Sequence, residues 1–209
     1  MKKALTRKLS HWPKTILAAS CALLCCPTWA AAQQPAPAQQ SRQQAAQRYF
    51  TDVVLVNQDG EQMRLYTDLL KDKVVVINFF FATCQGSCLP MNRNIQKAQD
   101  IFGDHLGKDA YIISVSVDPV TDTPARLKEY AAKIGARPGW YFITGGKENV
   151  AFALKKLGQY VENREDHTNI VLIGNERTGL WKKAFGLAKS DEFNKVVESV
   201  LNDQPTDGK

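Results

Sequence analysis

Val74-Val-Val-Ile-Asn-Phe-Phe-Phe81, followed by Ala82-Thr-Cys-Gln-Gly-Ser-Cys88, decides the fold. Eight residues with one polar member form too short a run for a buried helix, and β-branched and aromatic side chains favour a strand. Apolar character on both faces places that strand in the middle of a covered sheet. From about Pro90 to Phe102 the apolar positions Ile95, Ala98 and Phe102 recur at helical spacing, so the strand feeds a helix. The two cysteines therefore lie at a strand-to-helix junction. A disulfide closing so small a loop stabilises a fold by only about 2 kcal/mol in the chain-entropy model. Stability is a poor reason to place the pair there, and reaction or metal binding is a better one.

Working outward, Val53-Val-Leu-Val56 and Gln62-Met-Arg-Leu-Tyr66 flank the turn Asn57-Gln-Asp-Gly60 and predict a hairpin. Thr67 to Lys71 fits a short helix. Tyr111-Ile-Ile-Ser-Val-Ser-Val117 reads as a second buried strand. In Asp118-Pro-Val-Thr-Asp-Thr-Pro124, Asp122 and Thr123 suit helix capping and Pro124 the first helical position. That helix carries Leu127, Tyr130, Ala131 and Ile134 on one face and ends at Gly135. A strand Trp140–Ile143, a helix near Glu148–Leu157, strands at Ile170–Ile173 and Leu180–Phe185, and a helix Asp191–Leu201 complete the order. Trp140 and Trp181 read as strand residues packed on the core, and Met91 as a helix core residue. Right-handed crossovers make Val74–Phe81 and Tyr111–Val117 parallel neighbours. The expected fold class is α/β: a thioredoxin-like fold with a mixed central sheet, flanking helices and an extra N-terminal β-hairpin.

The ends carry different information. Lys2, Lys3, Arg7, Lys8 and Lys14 precede an apolar stretch from Thr15 to Cys26 and then Ala30-Ala31-Ala32. This pattern predicts a signal peptide over residues 1–32 and export to the periplasm. The apolar run is short of the roughly 20 residues that span a bilayer. Other readings make Cys21 a lipid-attachment cysteine or keep the segment as an uncleaved inner-membrane anchor. The formal charge of +6 belongs largely to this segment, since the remainder holds 22 basic and 21 acidic residues. Such balance, with no Lys/Arg cluster, argues against nucleic acid as a partner. Residues 33–48, rich in Gln, Ala and Pro, read as a disordered tether. Residues 49–203 have the length of one domain, and 204–209 read as a flexible tail.

Cys84 and Cys88 are the only cysteines outside the expected signal. If the helix begins near Cys84, positions i and i+4 share a face about 6 Å apart, within reach of one metal ion. Thiolates are favoured at a helix N-terminus and prefer soft Cu(I) or Zn(II). A redox pair of the thioredoxin kind has two intervening residues rather than three, yet dithiol chemistry stays open. His167, at the mouth of the strand after Asp166-His-Thr-Asn, is a candidate third ligand. It is also readable as a solvated histidine in the polar run Glu162-Asn-Arg-Glu-Asp-His167. Asp118 emerges at the carboxyl end of a buried strand, where open α/β sheets place their sites. It reads either as a turn former before Pro119 or as support for the site. Asp166 reads as a solvated acid or as a carboxylate orienting His167. His105 receives no role.

Phe81-Ala-Thr-Cys-Gln-Gly-Ser-Cys-Leu-Pro-Met91, Ser116-Val-Asp-Pro-Val-Thr-Asp-Thr-Pro124 and Asp166-His-Thr with Leu172-Ile-Gly together resemble the Sco/SenC family of thioredoxin-like copper proteins. The resemblance runs over about residues 50–203. It implies copper, as Cu(I) or Cu(II), held by Cys84, Cys88 and His167, and a chaperone role in assembling the binuclear copper site of cytochrome c oxidase. The implied partners are the oxidase copper-site subunit, a copper donor chaperone and a periplasmic thiol reductant. The family usually has Pro directly after the second cysteine and often after the first, where this chain has Leu89 and Gln85. A thiol–disulfide reductase, with Cys84 attacking and Cys88 resolving, is the alternative reading. A thiol peroxidase is weaker, because Phe81 stands where peroxiredoxins place a threonine.

Overall fold

A computed structural model describes residues 37–205 apart from positions 85 and 87. The expected signal peptide, Cys21, the departure at Gln85 and the last four residues of the tail lie outside the described residues. Of the tract expected to be a disordered tether, residues 33–36 lie outside the described residues and the rest is ordered, because Pro37–Phe50 forms helix α1. Its composition lacks apolar surface, but Ala, Gln and Arg are good helix formers and Pro suits a first position. Tertiary contacts supply the rest. Ala46 and Phe50 pack against the domain core, and the Tyr49 hydroxyl donates to the Lys156 carbonyl at 3.1 Å.

The hairpin pairs β1 (Val54–Val56) antiparallel with β2 (Gln62–Arg64). It leads into one wide helical turn, Leu65–Leu70. The main sheet holds β3 (Val74–Phe80), β4 (Ala110–Ser116), β5 (Trp140–Ile143), β6 (Ile170–Asn175) and β7 (Leu180–Phe185) in the order β5-β4-β3-β6-β7. Strands β3, β4 and β5 are parallel, whereas β6 and β7 run antiparallel to their neighbours. The mixed sheet and the parallel β3–β4 pair are thus as the pattern predicts.

All seven β3 side chains are buried, and their alternation divides the core. Val74, Val76 and Phe80 face helices α2 (Cys88–Phe102), α3 (Pro124–Lys133) and α5 (Ser190–Leu201). Val75, Ile77 and Phe79 face the hairpin, the Leu65–Leu70 turn and α4 (Lys147–Lys156). Each fully buried aliphatic side chain contributes about 1.5–3 kcal/mol, so this strand anchors both layers. The polar break at Asn78 is satisfied: it accepts the Ser114 hydroxyl at 2.6 Å, and Ser114 accepts the Trp140 indole N–H at 2.8 Å. Trp140 and Met91 are core residues, as expected. Trp181 is more exposed than expected, lying across Gly174 and 6.1 Å from Phe50 between ring centroids. Among the described residues no helix is long and apolar enough to cross a membrane.

Candidate metal centre

The site forms where β3 and β4 end. Val117 donates its N–H to the Phe80 carbonyl at 2.9 Å, holding the two exits together. Past buried Phe81 the chain turns, and the Cys84 N–H returns to the Phe81 carbonyl at 3.0 Å. Helix α2 then starts at Cys88. This corrects the expected helical start near Cys84: the first cysteine sits in the loop, and only the second is helical. The pair is nevertheless close, with a Cα–Cα separation of 6.1 Å, and is joined as a disulfide. Cys88 has no exposed surface, whereas Cys84 is half-buried. Leu89, the second residue of α2, is 54% exposed.

His167 arrives on a different segment. A 3₁₀ turn, Arg164–Asp166, is capped by the Asn163 side chain accepting the Glu165 N–H, and delivers His167 just before β6. Its Nε2 lies 3.8 Å from the Cys88 sulfur, and its Nδ1 lies 2.8 Å from the Arg164 carbonyl oxygen. A carbonyl only accepts, so Nδ1 carries the hydrogen, and in the neutral ring this leaves the Nε2 lone pair on the side of the sulfurs. The ring meets Phe81 edge to face at 5.3 Å between centroids. The donor atoms of Cys84, Cys88 and His167 all lie within 4.8 Å of one another. Folding therefore brings the imidazole from 79 residues away to the thiol pair.

The two carboxylates singled out from sequence behave differently. Asp118 does not belong to the cluster of possible metal donors. It accepts the Arg164 guanidinium at 2.5 Å and the Thr121 N–H at 3.4 Å. Burial pushes its carboxyl upward, but the hydrogen bonds from Thr121 and Arg164 outweigh this and hold it below the usual range. Asp166 is exposed, as its reading as a solvated acid has it, and the partner of the His167 Nδ1 is the Arg164 carbonyl. His105 pairs with Asp109 at 2.9 Å, four residues on, and is exposed.

Two contributors escaped the sequence reading. Asp122 does not serve as a cap. It is fully buried, accepts the Ala82 N–H with both oxygens at 3.2 and 3.1 Å, and accepts the Ser116 hydroxyl at 2.6 Å. Thr123 does cap α3, accepting the Arg126 N–H at 3.4 Å. Arg164 stacks its guanidinium 4.8 Å from the Phe81 ring centre. A shallow opening lined by Phe81, Thr83, Cys84, Arg164, Glu165 and His167 connects the site to solvent.

This donor set fits a soft or borderline metal. Reduction of the disulfide by two electrons and two protons yields two thiols; losing both protons, they offer two thiolates beside one neutral imidazole. Soft sulfur favours Cu(I) and Zn(II), and the nitrogen adds a preference that Cu(II) shares.

A family model described as SCO1/SenC matches residues 39–201. The SCO1 protein homolog of Bacillus subtilis (strain 168) is 33% identical over 154 residues, covering 69% of this chain and 77% of its own. The structure of BsSco, a member of the Sco family of cytochrome c oxidase assembly proteins in which a disulfide switch was identified, is 29% identical. Its TM-score is 0.57, over 70% of this chain and 90% of BsSco. Yeast Sco1 with copper bound shares the fold at 22% identity, with a TM-score of 0.60 over 75% of this chain and 94% of the yeast one. The central sheet and the flanking helices are accordingly those of a thioredoxin-like Sco domain, and the chain belongs to the SCO1/SenC family.

Proposed function

We propose that this protein is an exported copper chaperone that delivers copper to the binuclear copper site of cytochrome c oxidase during assembly. The observation that carries the reading is the convergence of Cys84, Cys88 and His167, with the Nε2 lone pair on the side of the sulfurs. Family membership supports it, as does a copper-bound relative on the same fold. Two thiolates and a neutral imidazole give Cu(I) a three-coordinate site of net charge −1. Cys84, on the open side, is the ligand placed to exchange first for one from the acceptor, while buried Cys88 and His167 keep hold. The acceptor is the oxidase copper-site subunit, a donor chaperone supplies the metal, and a thiol reductant keeps the pair open. Residues 1–32 act as the export signal, with retention at the inner membrane through an uncleaved or lipidated N-terminus as the variant of this reading.

Copper titration of the reduced domain tests it, with X-ray absorption counting sulfur and nitrogen neighbours. One copper per chain with two sulfurs and one nitrogen is expected, the nitrogen disappearing in His167→Ala. Failure to bind one copper, or a nitrogen neighbour that persists in His167→Ala, sinks the reading.

The disulfide between a half-buried and a fully buried cysteine favours a second activity. In a thiol–disulfide reductase the Cys84 thiolate attacks a partner disulfide, forming a mixed disulfide and releasing one partner thiolate. Cys88 then attacks the Cys84 sulfur and releases the second, so two electrons pass to the partner. This activity survives His167→Ala, which separates it from copper delivery.

A further inference from the structure

Three of the connections that Arg164 makes bear on the site, none of them to a sulfur. Its carbonyl oxygen takes the Nδ1 hydrogen of His167 at 2.8 Å. Its guanidinium forms an ion pair with Asp118 at 2.5 Å, across to the segment that leaves β4. The same guanidinium covers the Phe81 ring, which also packs edge to face with His167. The turn bearing His167 is only three residues long, and such turns are weak structures on their own. Beyond the strand β6 into which it runs, this side chain ties the turn across to the segments that leave β3 and β4.

Asp118 is well placed as the fixed end of the tie. Its N–H is bonded to the Ser116 hydroxyl at 3.0 Å, and Ser116 in turn donates to fully buried Asp122. Asp122 also grips Ala82, two residues before Cys84. The thiol loop and the histidine turn are thus referred to one anchor at the end of β4. Glu165 adds a further carboxylate 3.2 Å from the Arg164 Nε on the solvent side.

We propose that Arg164 is the positioning residue for His167: through its ion pair with Asp118 and its cover over Phe81 it holds the imidazole at bonding reach of the two sulfurs. The proposal rests on the copper-binding reading of the site and adds how the third ligand is kept there. Two thiolates satisfy Cu(I) without much help, whereas Cu(II) depends on the nitrogen. Loss of the tie therefore falls on one oxidation state. A residue that merely stabilises the fold would weaken both states alike.

The test compares wild type, Arg164→Ala, Arg164→Lys and Asp118→Asn in the reduced protein. Arg164→Ala should lower Cu(II) affinity by about 10–100-fold, the usual effect of removing a group that orients a ligand, while Cu(I) affinity holds. X-ray absorption of the Cu(II) form should lose its nitrogen neighbour. Arg164→Lys, which restores the charge opposite Asp118 but not the planar cover, should recover part of the loss, and Asp118→Asn should reproduce it. Nitrogen-15 spectra of the metal-free protein give a readout that needs no copper. The His167 ring should be a fixed Nδ1–H tautomer in wild type and average between tautomers in Arg164→Ala. An unchanged ring signal, unchanged Cu(II) affinity, or equal losses for Cu(I) and Cu(II) with a lowered Tm would each overturn the proposal. If wild type takes up no copper through His167, the chaperone reading fails while the ring spectra still judge Arg164.

Discussion

Both carboxylate oxygens of Asp122 receive the backbone N–H of Ala82, two residues ahead of Cys84, from a position with no exposed surface. Burial holds this carboxyl above the usual range, opposed by the hydrogen bonds from Ser116 and Ala82. The folded protein therefore binds this proton more tightly than the unfolded chain. Asp122 adds stability below the ordinary carboxylate pKa of about 4, and that contribution fades as pH rises toward the folded value. Measured by denaturant unfolding, wild type should gain on Asp122→Asn as pH falls from 7 to 4. A stability of wild type relative to Asp122→Asn that stays constant, or increases with rising pH, refutes this. Asp122→Ala should cost about 1–3 kcal/mol for each donor left without an acceptor.

A second prediction concerns α1. The Tyr66 hydroxyl is shared between Glu176 at 2.8 Å and the Gln43 carbonyl of α1 at 3.1 Å. Glu176 is 6% exposed and also accepts the Asp72 N–H at 2.8 Å. Burial first, and then Glu176, hold the Tyr66 phenol well above its ordinary pKa. Tyr66→Phe should cost about 1–3 kcal/mol by leaving a buried carboxylate short of a donor. Amide exchange across Pro37–Phe50 should accelerate more than exchange in β3. Uniform acceleration would show that the hydroxyl does not tether the helix.

The order of strands and helices was legible because each long element carries its period in its own residues. Val74–Phe81 is apolar on both faces, and Thr123-Pro124 announces a helix. What could not be read locally was anything fixed by a partner distant in sequence. Whether the tract around Gln43 is coil or helix depends on Tyr66 and Lys156, which dock it. Whether Asp122 caps a helix or grips the thiol loop depends on Ala82, forty positions earlier. The pairing of His167 with the cysteines came from three motifs taken together, since a single histidine in a polar loop carries no such signal. Arg164 lies inside the same polar run, where nothing local singles it out; its role needs Asp118 and Phe81 beside it.

Packing behind the site supplies a third prediction. A methyl group on Gly186 would lie 2.7 Å from the Met91 Sδ and 3.0 Å from the Asn169 carbonyl oxygen. Met91 is fully buried, so its side chain has little room to yield. Gly186→Ala should destabilise by about 1–3 kcal/mol, the usual cost of overpacking. Combined with Met91→Ala, the loss should be smaller than the sum of the two, because the space vacated by one receives the other. Strict additivity in thermal unfolding would contradict this close approach.

The last prediction separates the two sulfurs. After mild reduction both cysteines are free, but they differ in access: Cys84 lines the opening and Cys88 has no exposed surface. Cys88 opens α2 and is packed in the core beneath it. Alkylation needs a thiolate that the reagent can touch, so access should decide. A short pulse of iodoacetamide on reduced protein, read by peptide mass spectrometry, should label Cys84 in clear excess. Denaturing the protein before the pulse should bring the two labels to near equality, since the difference lies in the fold rather than in the residues. Equal labelling in the folded state would mean that the loop opens on the time scale of the reaction, and the assignment of Cys84 as attacking thiol and first exchanging ligand would fall with it.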